Sequence, residues 1–377
     1  MWTRRQFLTK SALGVLGATG TALAFPGEGG REAMPDGSQA RGMVTDACET
    51  AVRKGLDYLA GHQASNGSWG TGAYVANVAV TSLGALAMMA GGSQPGRGRY
   101  GQSVKLALDF VLRQGARGPR GGAFNIQHPD GFLFNSGQGG QQGPMYSHGF
   151  GTLLLGEVCG MLADQNDSDR VRQALAKAVG IILNSQNEHG GWRYNPIRFD
   201  ADISVTVCQI MALRSARNAG IYVPKATVDK CIEYVKRSQT ADGSFVYQLT
   251  NRGFGFGGGQ GGGFARTAAG LAALYSAGIY EGDAVRRGLE YLRSSRPVHF
   301  GRQADMHYFY GHYYAVQVMW TAGGQYWANW FPQIRDELIN RQEGDGYWGD
   351  MLCHQYGTAM ACIILQVPNN YLPILQK

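Results

Sequence analysis

Two kinds of helical pattern alternate along the chain. In AVRKGLDYLAGHQ (51–63), VRQALAKAVGIILNSQ (171–186) and VDKCIEYVKRSQ (228–239), apolar residues return every three or four positions, as Val228, Ile232 and Val235 do. Such a stripe predicts an amphipathic helix with one face on a core. In VAVTSLGALAMMAGG (78–92), ISVTVCQIMALRSARNAG (203–220) and RTAAGLAALYSAG (266–278), apolar and small residues run almost without a break and end on glycine. These predict helices covered on all sides and stopped by a C-terminal glycine.

A short turn joins each amphipathic helix to the apolar one that follows. Gln63-Ala-Ser-Asn-Gly67-Ser-Trp69 returns as Gln186-Asn-Glu-His-Gly190-Gly-Trp192, as Gln239-Thr-Ala-Asp-Gly243-Ser-Phe245 and as Gln342-Glu-Gly-Asp-Gly346-Tyr-Trp348. A stretched copy runs from Gln114 to Gly122-Ala-Phe124, and a degraded one ends at Phe300. The unit recurs about every 50 residues, the signature of a repeat architecture. The glycine lets the chain leave the helix with positive φ. The aromatic can stack over the preceding turn, and the Gln amide can bond backbone groups at the helix end or in the neighbouring repeat. Six such units give about twelve helices, amphipathic outside and apolar inside. An open solenoid needs polar caps at both ends, and none is visible. The expectation is an all-α domain over residues 46–377, an α6/α6 toroid of six helical hairpins in two concentric rings.

Composition narrows the classes. Of 377 residues, 44% are hydrophobic and 16% charged, which excludes global disorder. The 57 glycines follow no G-X-Y period, which excludes collagen. Net charge is +7, but Arg4, Arg5 and Lys10 lie in a leader and no dense Lys/Arg stripe follows, so no nucleic acid partner is expected. The leader, TRRQFLTK followed by the apolar Ala12 to Ala24 and ending in Ala22-Leu23-Ala24, is similar to a twin-arginine export signal. We read 1–24 as a signal peptide and 25–45, rich in Gly and Pro, as a flexible linker. Export of this kind carries folded cargo and places the protein in the periplasm, or otherwise outside the inner membrane of a bacterium. The six cysteines form no CxxC pair; Cys159, Cys208, Cys231 and Cys362 fall in apolar helices as core residues.

Polar residues recur where the apolar helices begin: Asn77 and Thr81; Tyr146, His148 and Thr152; Asp200, Asp202, Ser204 and Thr206; Arg266 and Thr267; Asp305, His307, Tyr310 and His312; His354, Tyr356 and Thr358. N-capping accounts for side chains such as Asp202 and Ser204. The alternative is a site where six helix N-termini converge on a polar group of a ligand. On that reading Asp202, Asp200 and His148 are candidate catalytic residues, and His312, Tyr356, Arg266 and Tyr310 candidate ligand-binding residues. Asp305, His307, Cys353 and His354 are of the types that bind zinc. The glycine run 253–263 lacks a P-loop Lys-Ser/Thr and, like the insertion 115–143, reads as a lid. Tyr308, Phe309, Tyr310, Tyr313, Tyr314, Trp320, Tyr326, Trp327 and Trp330 form an aromatic cluster suited to an apolar wall or to helix packing.

The Gln–Gly–aromatic units resemble the QW-type repeats of squalene-hopene cyclases and the related repeats of protein prenyltransferase β subunits, over nearly all of 46–377. The resemblance implies an α6/α6 toroid with a funnel-shaped cavity and functional groups at the inner-helix starts. Squalene-hopene cyclases protonate an alkene with the middle Asp of D-x-D-D; here the run is Asp200-Ala-Asp202-Ile203, without the last Asp. The prenyltransferases hold zinc by D-x-C and a later His; here position 307 is His. The closest likeness is to bacterial prenyltransferase/squalene oxidase repeat proteins. It implies a cavity for an apolar or isoprenoid-like ligand, with transferase or cyclase-type chemistry and with peripheral membrane association compatible. Two other readings stay open: a non-catalytic periplasmic binding or interaction scaffold, and a glycan-processing enzyme using Asp200, Asp202 or Asp305.

Overall fold

The computed structural model describes residues 38–116, 120–121, 127–135, 143–249, 263–295 and 307–376, all within the compact unit Pro35–Lys377. The export signal, most of the linker, the glycine run, most of the 115–143 insertion, Phe124, Phe300 and Asp305 lie outside the described residues.

Twelve α-helices are described. The outer set is α1 (Asp46–Gly61), α3 (Gly101–Gly115), α5 (Gln165–Ser185), α7 (Lys225–Arg237), α9 (Asp283–Ser294) and α11 (Gly324–Asn340). The inner set is α2 (Val78–Ala90), α4 (Pro144–Val158), α6 (Ile203–Asn218), α8 (Phe264–Ser276), α10 (Tyr308–Ala322) and α12 (His354–Gln366). The remaining regular structure among the described residues is a set of 3-10 turns and a two-residue antiparallel ladder, Arg120–Gly121 with Gln127–His128. The patterning accounts for the layers. Helix α1 buries only Cys48, Ala51, Gly55, Leu56 and Leu59, one stripe of an amphipathic helix, whereas α2 buries every residue but Ala79. Each inner helix packs on the next, and α12 returns to α2; α11 likewise meets α1. The ring is closed, and the fold is the predicted α/α toroid.

The repeated turn is a hydrogen-bonded staple. The Gln186 amide donates to Gly190 O within its own turn and to Thr227 O at the start of the next outer helix, both at 2.9 Å. Gln63 does the same with Gly67 and Ser103, and Gln239 with Gly243 and Ala284. The last copy joins the ends of the chain: Gln342 donates to Gly346 O and, across the closure, to Ala51 O of α1, each at 2.8 Å. The motif glycine is required twice over. Gly190 has φ +96, and a Cβ there would run into the Lys230 carbonyl of the next outer helix. The indole N–H groups of Trp69, Trp192 and Trp348 cap Leu59 O, Ile182 O and Leu338 O at 2.7–2.8 Å, and all three rings are buried. Their backbone N–H groups donate to Thr81, Thr206 and Thr358 at 3.0–3.1 Å. These threonines, read from sequence as rim residues, therefore belong to the staple.

Residues 38–45, assigned to the linker by composition, are held against the ring. Gln39 donates to Trp320 O, Trp327 donates to Gln39 O, and Arg335 donates to Met43 O. Packing thus begins further toward the N-terminus than composition suggests. No helix among the described residues is long and apolar enough to cross a membrane.

Candidate functional site

Because the hairpins repeat, all six inner helices begin at one end of the ring, here called the mouth. The opposite end is covered by the C-terminal segment. Gln366 donates to Ala87 O of α2, Asn369 to Ala90 O, and Ile374 N to the buried carboxylate of Glu157 on α4. Halfway along, aromatics fill the centre. Phe150 of α4 meets Tyr313 of α10, with ring centroids 6.0 Å apart, and Cys208 Sγ of α6 lies 3.2 Å from the Tyr314 hydroxyl. Phe150, Tyr313 and Tyr314 are all buried. Among the described residues, the half-buried side chains near the inner-helix starts include Tyr146 (α4), Ser204 (α6), Tyr310 (α10) and Tyr356 (α12).

Asp202 lies beside Tyr146 and Tyr310 of this group. It caps α6, its Oδ1 accepting from Val205 N at 2.8 Å, while its own N–H is tied to Trp192 O. The side chain has no exposure, and among the described residues Oδ2 has no hydrogen-bond partner. Burial pushes its carboxyl up from 3.8 to about 7, against the lowering pull of the Val205 N–H and of Arg193. The phenols of Tyr146, Tyr310 and Tyr356 are held well above their ordinary range, by burial first; Asp202 adds to the effect on Tyr146 and Tyr310. At neutral pH the mouth is therefore lined by neutral tyrosines around a carboxyl poised between its two forms.

Above Asp202, the loops before α6 and α8 contribute Arg193, Tyr194 and Tyr247. The Arg193 guanidinium lies 4.7 Å from the Tyr194 ring centroid and 5.7 Å from that of Tyr247, and the two hydroxyls bond to each other. Tyr194 continues to Tyr146 at 6.1 Å. Asp200 Oδ2 accepts from Gln248 at 2.8 Å and pairs with Arg193 at 3.3 Å.

The sequence candidates divide accordingly. Asp202, Tyr310 and Tyr356 come together at the mouth, with Asp200 beside them; Arg266 sits half-buried in the first turn of α8. The expectation that His148 and His312 join them does not match their placement. Each lies two residues beyond a mouth tyrosine, and two residues turn a helix by about 200°, onto its far side. His148 bridges Leu133 N and Ala178 O of outer helix α5 at 3.1 and 3.0 Å; burial lowers its pKa to about 4. His312 packs among Tyr308, Phe264 and Trp330 of α11, and burial lowers its pKa to about 3.

The zinc candidates also separate. His307 is exposed before α10 and Cys353 is buried at the cap of α12. His354 turns outward onto Tyr347, 4.2 Å between centroids. Among the described residues no three His, Cys, Asp or Glu side chains gather as a metal site.

Sequence reasoning missed Arg193, Tyr194 and Tyr247. One signal was available. The residue after the motif aromatic is Gly70, Val246 and Gly349 in the other copies and Arg193 in this one.

No protein-family model and no curated protein matches the chain at the sequence level. Solved structures do. The chain is similar to the type II terpene cyclase MstE from Scytonema, with TM-score 0.54 and 13% identity over 87% of this chain and 100% of that one. A variant of MstE with the substrate geranylgeranyl dihydroxybenzoate gives TM-score 0.52 and 14% identity over 86% and 98%. Another variant, with the product merosterolic acid A, gives 0.53 and 12% over 87% and 98%. Likeness over nearly the full length of both chains, joined to a closed ring of six hairpins, shows that this chain has the prenyltransferase/squalene cyclase-like toroid fold found in type II terpene cyclases.

Proposed function

We propose that the protein is an exported toroid that takes a lipophilic, isoprenoid-like ligand at the mouth of its ring and presents to it the acid of Asp202. The observation that carries the reading is the Asp202 carboxyl: buried, with Oδ2 unpartnered among the described residues, poised near neutral pH and close enough to the phenols of Tyr146 and Tyr310, on two other inner helices, to raise them. An apolar wall with a few convergent polar groups is the usual form of a small-molecule site. The terpene cyclase neighbours support the ligand class, since theirs carries a geranylgeranyl chain. A carboxylic acid of this strength donates a proton to a carbonyl, epoxide or hydroxyl oxygen far more readily than to an isolated alkene. The reading is therefore cyclase or transferase-type chemistry at an oxygen-bearing carbon. The second reading is binding without turnover. It is favoured by the engagement of Asp200 with Gln248 and Arg193, which leaves Asp202 without a helper carboxylate. Export rests on the twin-arginine leader and is tested by the mature N-terminus, expected just after Ala24.

The test is native mass spectrometry of the protein with geranylgeraniol and its terminal epoxide, followed by product analysis for wild type and Asp202→Asn. A one-to-one complex supports the binding reading. Turnover of the epoxide that Asp202→Asn abolishes, with the thermal midpoint no lower, supports the acid. Absence of any complex with either lipid overturns the proposal.

A further inference from the structure

A second carboxyl stands at the inner-helix starts. Asp350 is half-buried in the loop before α12, its Oδ1 accepting from Leu352 N at 2.8 Å. A Cβ added to Gly357, one turn into α12, would lie 3.1 Å from the Asp350 Cβ, so the side chain is packed against the start of that helix. Burial raises its carboxyl above the usual range, and His307, the residue before α10, lowers it. Asp350 is close enough to Tyr356 to add to the effect of burial on that phenol. The exposed ring of His307 stands 6.2 Å from that of Tyr310, which Asp202 also neighbours. Asp202 precedes the third inner helix and Asp350 the sixth, so in a closed ring of six they lie on opposite sides. The two sides differ. Asp202 is fully enclosed, with Oδ2 unpartnered among the described residues, whereas His307 is open to solvent. An acid opposite a solvent-reached His–Asp pair is an arrangement that activates water. The neutral imidazole takes the proton of the attacking water, and the carboxylate steadies the cation so formed.

We propose that the mouth is a hydrolase site for lipophilic epoxides, with Asp202 the acid, His307 the base and Asp350 the residue that positions His307. The inference rests on the proposed function for its acid, and adds water as the nucleophile. The Asp202 proton goes to the oxirane oxygen as the bond from that oxygen to one carbon breaks. The oxygen of a water molecule forms the new bond at that carbon, and the proton this water loses goes to the His307 imidazole. One epoxide and one water give one vicinal diol. The imidazolium then releases its proton to solvent and the Asp202 carboxylate takes one back, so no other reactant is needed. Water has the advantage over an internal alkene as the attacking group. The buried rings of Phe150, Tyr313 and Tyr314 occupy the centre, where a folded polyene would lie enclosed, and His307 stands in solvent.

The experiment supplies two probes in water labelled with heavy oxygen: the terminal epoxide of dodecene, which keeps no double bond and cannot cyclise, and the terminal epoxide of geranylgeraniol. Wild type should convert both to vicinal diols that carry one labelled oxygen. Asp202→Asn and His307→Gln should each lower kcat about a hundredfold or more, and His307→Gln, at an exposed position, should leave the thermal midpoint unchanged. Asp350→Asn should give a smaller loss in kcat with KM unchanged, and Asp350→Glu should recover part of it; a purely structural Asp350 would instead lower the thermal midpoint and leave kcat alone. Conversion of the geranylgeraniol epoxide to an unlabelled product, with the dodecene epoxide untouched, overturns the hydrolase and leaves the acid reading standing. Wild-type turnover by His307→Gln overturns the assignment of the base and with it the inference. Binding without turnover overturns the hydrolase and leaves the binding reading. Neither binding nor turnover overturns both.

Discussion

At the staple turns, polar side chains that leave water are paired. Gln186 has Gly190 O and Thr227 O, Trp192 has Ile182 O and the Thr206 hydroxyl, and the other copies repeat these bonds. At the mouth, polar groups of equal or greater cost are left short: Asp202 Oδ2 and Arg193 Nη1 have no hydrogen-bond partner among the described residues. Buried polar groups in native proteins are nearly always satisfied, so each exception asks for a reason; others lie away from the mouth, at Ser82, Tyr234 and both ring nitrogens of His312, but Asp202 and Arg193 are the ones that carry charge. The staple is thus the part of the repeat that holds the ring, and the mouth is the part that was left open to something else. Both lie on the same loops, and a single step along the chain, from Trp192 to Arg193, crosses from one to the other.

Breaking the staple should give the largest loss of stability. Trp192→Ala removes a fully buried indole and its bond to Ile182 O, and we expect it to cost about 3–5 kcal/mol. Chemical denaturation measures this, and a variant as stable as wild type would refute the structural role of the turn.

At the mouth the sign should reverse. The folded Asp202 keeps its proton to about pH 7, while an unfolded aspartate releases it near 3.8. Between those values the folded state binds more protons, so stability falls as pH rises from about 4 to 7 and levels off above. The full span is on the order of 4 kcal/mol for a shift of this size. Asp202→Asn keeps the cap to Val205, since Asn caps about as well as Asp, and removes the titration. Thermal midpoints at pH 5 and pH 8 should therefore differ less in the variant, which should be the more stable protein at pH 8. A variant that keeps the wild-type slope would mean the burial of Asp202 is not what tunes the site.

The same contrast explains what could be read from the sequence. The staple is short-range: Gln186 reaches Gly190 four residues on, and Trp192 reaches back ten to Ile182. A local device repeated at even spacing is visible without a structure, and closure followed from the lack of capping repeats, although the bond that seals it joins Gln342 to Ala51. The mouth was legible only in part. Asp202, Tyr310 and Tyr356 were found because a polar residue at the start of an apolar helix is conspicuous. His148 and His312 met the same criterion and failed, because proximity to a helix start does not fix which face a side chain takes. Arg193 was invisible for a different reason. Its meaning depends on Tyr247, which reaches it from the loop of the next repeat.

Smaller effects separate the two regions more finely. Gln342→Ala deletes the bond to Gly346 O and, across the seam of the ring, the bond to Ala51 O, a carbonyl inside α1 that keeps its helical partner. We expect a loss of about 1–3 kcal/mol, with hydrogen exchange accelerated in α1 and α11 ahead of the other outer helices. Uniform acceleration around the ring would mean that closure does not depend on this amide.

The smallest effect on stability should come from Arg193→Met. The guanidinium makes no aligned hydrogen bond among the described residues, and its ion contact is to an Asp200 side chain that is 28% exposed. A 3.3 Å contact without an aligned hydrogen bond, between side chains that are each about three-quarters buried, does little more than offset the cost of taking both charges out of water. Methionine keeps an unbranched apolar stem beside the Tyr194 and Tyr247 rings, and Asp200 retains Gln248 as a donor. The substitution should therefore leave the thermal midpoint nearly unchanged, in contrast to Gln342→Ala, although arginine carries the greater charge. Removing the guanidinium also removes its lowering pull on Asp202, so the pH at which stability levels off should move above 7. A loss as large as that of Gln342→Ala, with no movement of that midpoint, would place Arg193 with the staple and end the distinction drawn between the two regions.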